Sequence, residues 1–179
     1  MLITNKTLTS LDLTNTKISD EGFKILFEAI SESIITTLNL SYNSINNEII
    51  IILLDILQKK NTLTTLDLTN TQISEEGFNK LSEALKTNRT ITTLKIGSNK
   101  VNDISLVVFN LFMALKKNTT LKTLHLNDMN LNDVSAERII RFLKSNTTTT
   151  LKTLDLSNNK FTEQGKKKLS DLTEMTIYI

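Results

Sequence analysis

Five side chains able to move protons or carry charge fall at one recurring slot: Asp12, Asp67, Lys95, His125 and Asp155, with Asn39 completing the series. Paired carboxylates can protonate a leaving group and activate water. Asp12 and Asp67 stand two slots apart, about 10 Å by strand spacing, which approaches the separation of an inverting glycosidase pair. His125 and Asp155 are one slot apart, as a base and its orienting carboxylate would be, but no Ser or Cys nucleophile with a stabilising loop accompanies them. The flanking residues are mostly Thr, which build no walled pocket to raise a carboxyl pKa. With no Cys, one His and four Gly, the chain offers no thiolate ligand, no zinc cluster and no Gly-rich phosphate loop. These residues suit a binding surface better than a catalytic centre. No cofactor, metal or catalytic residue is expected.

The slot exists because one phrase, apolar-x-x-Leu-x-apolar-x-x-x-x-apolar, recurs six times. Its copies are LTSLDLTNTKI, ITTLNLSYNSI, LTTLDLTNTQI, ITTLKIGSNKV, LKTLHLNDMNL and LKTLDLSNNKF, starting at Leu8, Ile35, Leu63, Ile91, Leu121 and Leu151. Successive starts are separated by 27, 28, 28, 30 and 30 residues, a spacing that marks stacked repeats. Within the phrase Leu11 and Leu13 alternate with Ser10, Asp12 and Thr14, which predicts a short strand with one buried face. The rest of each repeat changes period. Phe23, Leu26 and Ile30 in SDEGFKILFEAI, and Phe78, Leu81 and Leu85 in SEEGFNKLSEAL, form one helical stripe each. Ser19 and Ser74 are expected as N-caps, followed by acids that complement the helix dipole. Asn88, Asn118 and Asn146 are expected to end helices in the left-handed conformation. Neither element can bury its apolar side alone, so the copies must stack into one core.

The composite wording LxxLxLxxNxIxxEGFxxLxEAL resembles the ribonuclease-inhibitor-like class of leucine-rich repeats, from Leu8 to about Leu172. That resemblance implies an α/β solenoid, a right-handed horseshoe with parallel strands on the concave face and helices on the convex face. The class hosts inhibitors, GTPase regulators, immune receptors and bacterial effectors, so it specifies fold rather than function. The family's ladder asparagine stands at Asn43, Asn99 and Asn159, and is replaced by Thr16, Thr71 and Met129. Thr can make part of the asparagine's backbone hydrogen bonds. Met is expected to leave a looser turn.

On the expected concave face, Ser10, Thr37, Thr65, Thr93, Thr123 and Thr153 form a column that β-propensity explains. The adjacent column diverges at Lys95 and His125, and beyond the strand ends Tyr42 stands where other repeats hold Asn15, Asn70, Ser98, Asp128 and Asn158. A partner-binding set of Asp12, Tyr42, Asp67, Lys95, His125, Asp128 and Asp155 follows, with Tyr42 as anchor. On the helical side, Ile25, Phe27, Ile52 and Leu54 occupy slots read as outward, where repeat three has Lys80 and Ser82. The convex helices of repeats one and two are therefore expected to dock another subunit or domain. Only MLITNKT precedes Leu8, leaving the first strand without a cap. The N-terminal end is thus a second place for self-association or an upstream domain, and MTIYI is expected to add a terminal strand over 175–179.

At 179 residues the unbroken repeat reads as a single domain, 1–179. A net charge of +2, from 21 basic and 19 acidic residues, exerts no global pull toward nucleic acid or membrane. Lys59, Lys60, Lys86, Arg89, Lys116, Lys117 and Lys144 recur at helix ends, and Lys166, Lys167 and Lys168 form a run. Helix dipoles explain the helix-end cations, and without an aromatic platform nucleic acid is disfavoured. The longest apolar run, Ile49 to Leu54, is far shorter than a membrane span, and no signal peptide is visible. Asn-x-Thr/Ser triplets at Asn5, Asn39, Asn88, Asn118 and Asn146 read as capping asparagines rather than glycosylation sites. The chain is read as a non-catalytic protein-binding module, cytoplasmic or secreted as a bacterial effector. The alternatives are a GTPase regulator or enzyme inhibitor, and then a hydrolase.

Overall fold

A computed structural model describes residues 4–59, 62–99, 101–146, 149–172 and 175–179. Strands and helices alternate without exception along the chain. They are β1 (Ser10–Asp12), α1 (Asp20–Ser31), β2 (Thr37–Asn39), α2 (Asn47–Lys59), β3 (Thr65–Asp67), α3 (Glu75–Thr87) and β4 (Thr93–Lys95). The series continues through α4 (Ile104–Leu115), β5 (Thr123–His125), α5 (Asp133–Ser145), β6 (Thr153–Asp155), α6 (Glu163–Ser170) and β7 (Thr176–Tyr178). The strands form one parallel seven-stranded sheet in chain order, open at both edges. Its register aligns Leu11, Leu38, Leu66, Leu94, Leu124, Leu154 and Ile177 in a single row. That row faces the helices, while the residues on either side of it face out. The expected terminal strand is β7.

The helices start where a side chain can close the first turn. Ser19 and Ser74 accept from Gly22 N–H and Gly77 N–H at 3.2 Å, as their spacing predicts, and Asp103, Asn132 and Thr162 do the same for α4, α5 and α6. Phe23, Ile50, Phe78 and Val107 then sit four residues past each cap and are buried. Helix exits differ from expectation. Asn88 is extended (φ −62°, ψ 134°) and Asn146 is not left-handed either (φ −119°). Asn88 turns its amide inward instead, donating to Leu57 C=O at 2.9 Å and accepting from Ile91 N–H at 2.9 Å. Asn118 repeats the arrangement on Leu85 C=O and Leu121 N–H. Both amides are buried in the stack, which explains these asparagines as structural.

The strand exits are held by the other asparagine ladder. Asn99 is fully buried; its amide donates to Leu68 C=O (2.8 Å) and Ile96 C=O (3.0 Å) and accepts from Thr71 N–H (3.0 Å) and Ile73 N–H (3.1 Å). Asn159 does the same for Leu126 C=O, Met129 N–H and Leu131 N–H, and Asn43 donates to Leu13 C=O and Leu40 C=O. Each asparagine closes its own turn and that of the repeat before it. The Thr71 hydroxyl bonds Leu68 C=O of its own repeat, and that of Thr16 bonds Leu13 C=O and also reaches Asn43 Oδ1 of the next repeat at 3.4 Å. The turn at Met129 is not the open one expected: Met129 is 1% exposed and its Sδ accepts from Asn99 N–H at 3.3 Å. A thioether is a weak acceptor, and Asn159 supplies the remaining bonds.

The helical side also departs from the sequence reading. Phe27 and Leu54 are buried, as is Ser82 in the same slot, because these residues lie between adjacent helices rather than outside them. In α2 only Ile51 is strongly exposed among the apolar residues, and in α1 only Ile25. The exposed apolar surface over repeats one and two is therefore narrower than the sequence reading, with Phe27 and Leu54 withdrawn from it and Ile25 and Ile51 remaining. The exposed apolar stripe lies on α4, at Leu106, Phe109 and Met113. Lys60 of the expected basic series lies outside the described residues.

Asn99 is fully buried and bonds backbone groups of two consecutive repeats, so its loss should be costly. Asn99→Ala strands Thr71 N–H and Ile73 N–H in the core and is expected to lower the unfolding free energy by about 2–4 kcal/mol. Urea denaturation followed by circular dichroism measures this, and a loss below about 1 kcal/mol would contradict the ladder's role.

Candidate functional site

The concave face is built by the outward residues of seven strands. The parallel register places Asp12, Asn39, Asp67, Lys95, His125, Asp155 and Tyr178 side by side in one column. Five of the sequence-predicted residues are thus brought together. Tyr178 was missed; the alternation Thr176-Ile177-Tyr178, with Ile177 in the leucine row, was the signal that could have found it.

Most of the column has a structural reason to be Asp or Asn. Asp12 Oδ1 accepts from Thr14 N–H (2.9 Å), Asn39 Oδ1 from Ser41 N–H (3.0 Å), Asp67 Oδ1 from Thr69 N–H (3.0 Å) and Asp155 Oδ1 from Ser157 N–H (2.9 Å). Each side chain closes the turn that leaves its strand. Lys95 and His125 cannot do this, so repeats four and five give up that bond. They make a different one. Lys95 Nζ lies 3.3 Å from Asp67 Oδ2, and His125 Nδ1 lies 3.1 Å from Asp155 Oδ2. Asn39 donates to Asp12 Oδ2 at 3.2 Å. The column is therefore three neighbouring pairs, each joining an odd repeat to the even repeat that follows.

These bonds favour the ionised form of Asp12 and Asp155. The hydroxyl and N–H of Thr14 keep Asp12 below the usual carboxylate range. For Asp155, burial pushes the pKa up, but Ser157 hydroxyl and N–H donation together with His125 outweigh it, and the net direction is down. A general acid needs the reverse, a carboxyl kept protonated near neutral pH. The Asp12 and Asp67 pair lacks that property at Asp12, and the geometry does not favour glycoside hydrolysis.

Tyr42 and Asp128 lie outside the column, in the turns where the strands end. Six equivalent residues there are left-handed: Asn15, Tyr42, Asn70, Ser98, Asp128 and Asn158, with φ between 51° and 59°. Asn and Asp tolerate this region, whereas a bulky aromatic does not. Tyr42 nevertheless adopts φ 59° and remains 54% exposed. Its N–H is bound to Thr69 C=O at 2.9 Å, so the neighbouring strand fixes the backbone there. Asp128 is half-buried, its N–H on Ser157 C=O. A cleft of about 300 Å³ lies on the opposite side of the molecule, between α3 and α4, lined by Asn79, Lys80, Asn110 and Met113 among others. It does not communicate with the column, because the helix and strand layers face opposite ways.

The depressed carboxylates set a pH dependence. A folded pKa below the unfolded value gives stability that is complete above the unfolded pKa, about 3.9, and is lost as pH falls through the folded one. Unfolding free energy is expected to stay flat from about pH 7 to 5 and to fall below about pH 4. Asp155→Asn should weaken that fall; an unchanged acid limb would contradict the hydrogen bonds from Ser157 and His125 that favour its ionised form.

Comparisons agree with this geometry. The family model for Leucine Rich repeat matches residues 4–24, 34–53, 59–82, 87–109, 117–139 and 147–170. No curated protein matches the sequence. Among solved structures, the leiomodin-1 actin-binding site 2 domain superposes with a TM-score of 0.63 at 20% identity, covering 93% of this chain and 79% of that one. The tropomodulin C-terminal domain of Caenorhabditis elegans gives 0.56 at 15% identity, over 93% and 83%. TLR13, in its complex with ssRNA13, gives 0.60 at 21% identity, covering 99% of this chain but 23% of that one. At these identities the likenesses carry the fold alone. Six matched repeats, a parallel open sheet and a helix after each of the first six strands together place the chain in the leucine-rich repeat family.

Proposed function

We propose that this chain is a non-catalytic module that binds a protein partner on its concave strand face. One observation carries the reading: Tyr42 is a solvent-exposed aromatic held in the left-handed region, where the other repeats place Asn, Ser or Asp. The conformation costs about 1–2 kcal/mol for a residue with a bulky side chain, and the exposed ring recovers little of it by packing within this chain. Backbone strain of this kind concentrates at binding sites, and tyrosine is favoured as an interface anchor. Lys95 and His125 extend the same face with side-chain pairs, to Asp67 and Asp155, in place of turn-closing bonds. The concave face thereby offers an aromatic anchor at β2, a polar centre, and a second exposed tyrosine, Tyr178, at β7.

A helix in each of six repeats, at periods of 27–30 residues, supports assignment to the ribonuclease-inhibitor-like class. A cytoplasmic scaffold or secreted effector is the setting that goes with that assignment. No helix of the described residues is long and apolar enough to cross a membrane. Leiomodin-1 contributes an actin-binding site in the same fold, which makes actin a reasonable first probe by fold analogy.

Tyr42→Asn separates a binding role from a structural one. The variant is expected to gain about 1 kcal/mol of stability by relieving the backbone while losing partner capture from lysate. Combining it with Lys95→Glu and His125→Ala should abolish capture. Retention of the same proteins by the folded triple variant would contradict the concave assignment.

A further inference from the structure

The residue just before each strand forms a ladder of its own along the entry edge of the concave face. In repeats one to four it is threonine: Thr9, Thr36, Thr64 and Thr92. The hydroxyls of the last three donate to Thr9, Thr36 and Thr64 C=O, at 3.1, 3.2 and 3.3 Å. Repeats five and six break the series with Lys122 and Lys152. The sheet sets these two side by side, Lys152 N–H donating to Lys122 C=O at 2.8 Å, on strands about 4.8 Å apart. Both are exposed. Among the described residues the lysines that pair with carboxylates are Lys24, Lys59, Lys86, Lys95, Lys166 and Lys168; Lys122 and Lys152 are not among them. Like charges on adjacent strands repel, and each lysine also forfeits the hydroxyl bond that threonine makes. The chain gives up stability at this spot, as it does at Tyr42.

The two lysines also complete a division of charge along the concave face. Segments 9–12, 36–39 and 64–67 hold the acids Asp12 and Asp67 and no base, whereas 92–95, 122–125 and 152–155 hold Lys95, Lys122 and Lys152 against Asp155. Asp67 and Asp155 already have partners in Lys95 and His125. What is left is a carboxylate at β1 and two ammoniums at the entry to β5 and β6. Lys116 and Lys117, exposed where α4 ends, and Lys144, exposed in the last turn of α5, add to the same edge. Helix dipoles account for those three. Lys122 and Lys152 stand at strand entries, where no such dipole favours them.

We infer that Lys122 and Lys152 receive an acidic segment, rich in Asp and Glu, of the protein partner bound on the concave face. The inference rests on the concave reading above and adds the chemistry of what lies over β4–β6. A carboxylate seated between the two ammoniums turns their repulsion into two attractive contacts, so the pair is better accommodated bound than free. A nucleic-acid strand suits the place less well. From β4 to β6 the strand segments present Thr, Lys, His and Asp, with no Phe, Tyr or Trp on which successive bases could stack. The nearby guanidinium of Arg89 is folded back on Lys86 C=O and Asn88 C=O, both at 2.9 Å.

Fluorescence anisotropy on the full chain tests this, with a labelled short peptide of Asp and Glu as probe and an oligothymidylate of equal charge beside it. The wild type is expected to bind the peptide more tightly than the oligonucleotide, and to lose it as salt is raised. Lys122→Thr/Lys152→Thr restores the residue of the first four repeats, so it should fold with at least wild-type stability while weakening the peptide by about tenfold or more. Lys80→Gln/Lys167→Gln removes the same charge from α3 and α6 and should change the affinity by less than about twofold. Tyr42→Asn, at the end of β2, should also leave the peptide bound. Failure of the concave reading shows in lysate capture and failure of this inference in peptide binding, so the two are told apart. No binding of the peptide, or equal weakening by both lysine pairs, would overturn the acidic-segment assignment. Tighter binding of the oligonucleotide would overturn it in favour of a phosphate backbone.

Discussion

Every backbone donor and acceptor buried in the strand-to-helix turns must find a partner inside the stack, because neither sheet nor helix reaches them. Three asparagine side chains meet a part of that need which no backbone group of the neighbouring repeat meets. Asn43, Asn99 and Asn159 each bond carbonyls of two consecutive repeats, and Asn99 and Asn159 also accept two amide N–H groups from the repeat before. The geometry works only if neighbouring repeats are in register, so satisfying these groups also fixes the stacking. Apolar burial supplies the driving force for association. The asparagines determine where each repeat sits.

The ladder asparagines occur in every second repeat, and the surface follows the same grouping. Repeats one and two share Asn43 and the Asp12–Asn39 bond; three and four share Asn99 and the Asp67–Lys95 pair; five and six share Asn159 and the His125–Asp155 pair. The chain thus reads physically as three doublets of a common plan. Between doublets the links are of other kinds, such as the Asn99 N–H to Met129 Sδ contact and the Asn88 amide on Leu57 C=O. The interior changes little from doublet to doublet, while the concave column changes from acid and amide to acid and lysine to imidazole and acid. Changes of charge and polarity at exposed slots, over an interior that stays apolar, are the pattern expected of a binding surface.

The period and the strand alternation were fully legible in the sequence, because both follow from which residues must be buried. The N-caps at Ser19 and Ser74 were legible for the same local reason. Helix surfaces were harder to read. Phe27 and Leu54 looked outward on a helix considered alone, but the direction of the adjacent helix puts them in the interface between the two. Met129 could not be read correctly either, since its sulfur's role depends on Asn99 N–H arriving from the preceding repeat. At the site, the column was legible from the repeat alignment, whereas its pairing was not. That Lys95 and His125 reach back or forward by one strand is decided by side-chain geometry. The strain at Tyr42 was in principle readable, because its equivalents Asn15, Asn70, Asp128 and Asn158 are the residue types that tolerate a left-handed backbone.

Native-state hydrogen exchange, resolved to single amides, tests the central claim most directly. Thr71 and Ile73 donate to the buried Asn99 side chain, and Met129 and Leu131 to the half-buried Asn159, rather than to sheet or helix carbonyls. If those side chains hold the stack, the four amides should exchange only with global unfolding, with the same free energy as the central strand amides of Leu66 and Leu94. Exchange of the four at the rate of freely exposed turns, while the strands stay protected, would show that the asparagines decorate the stack rather than hold it.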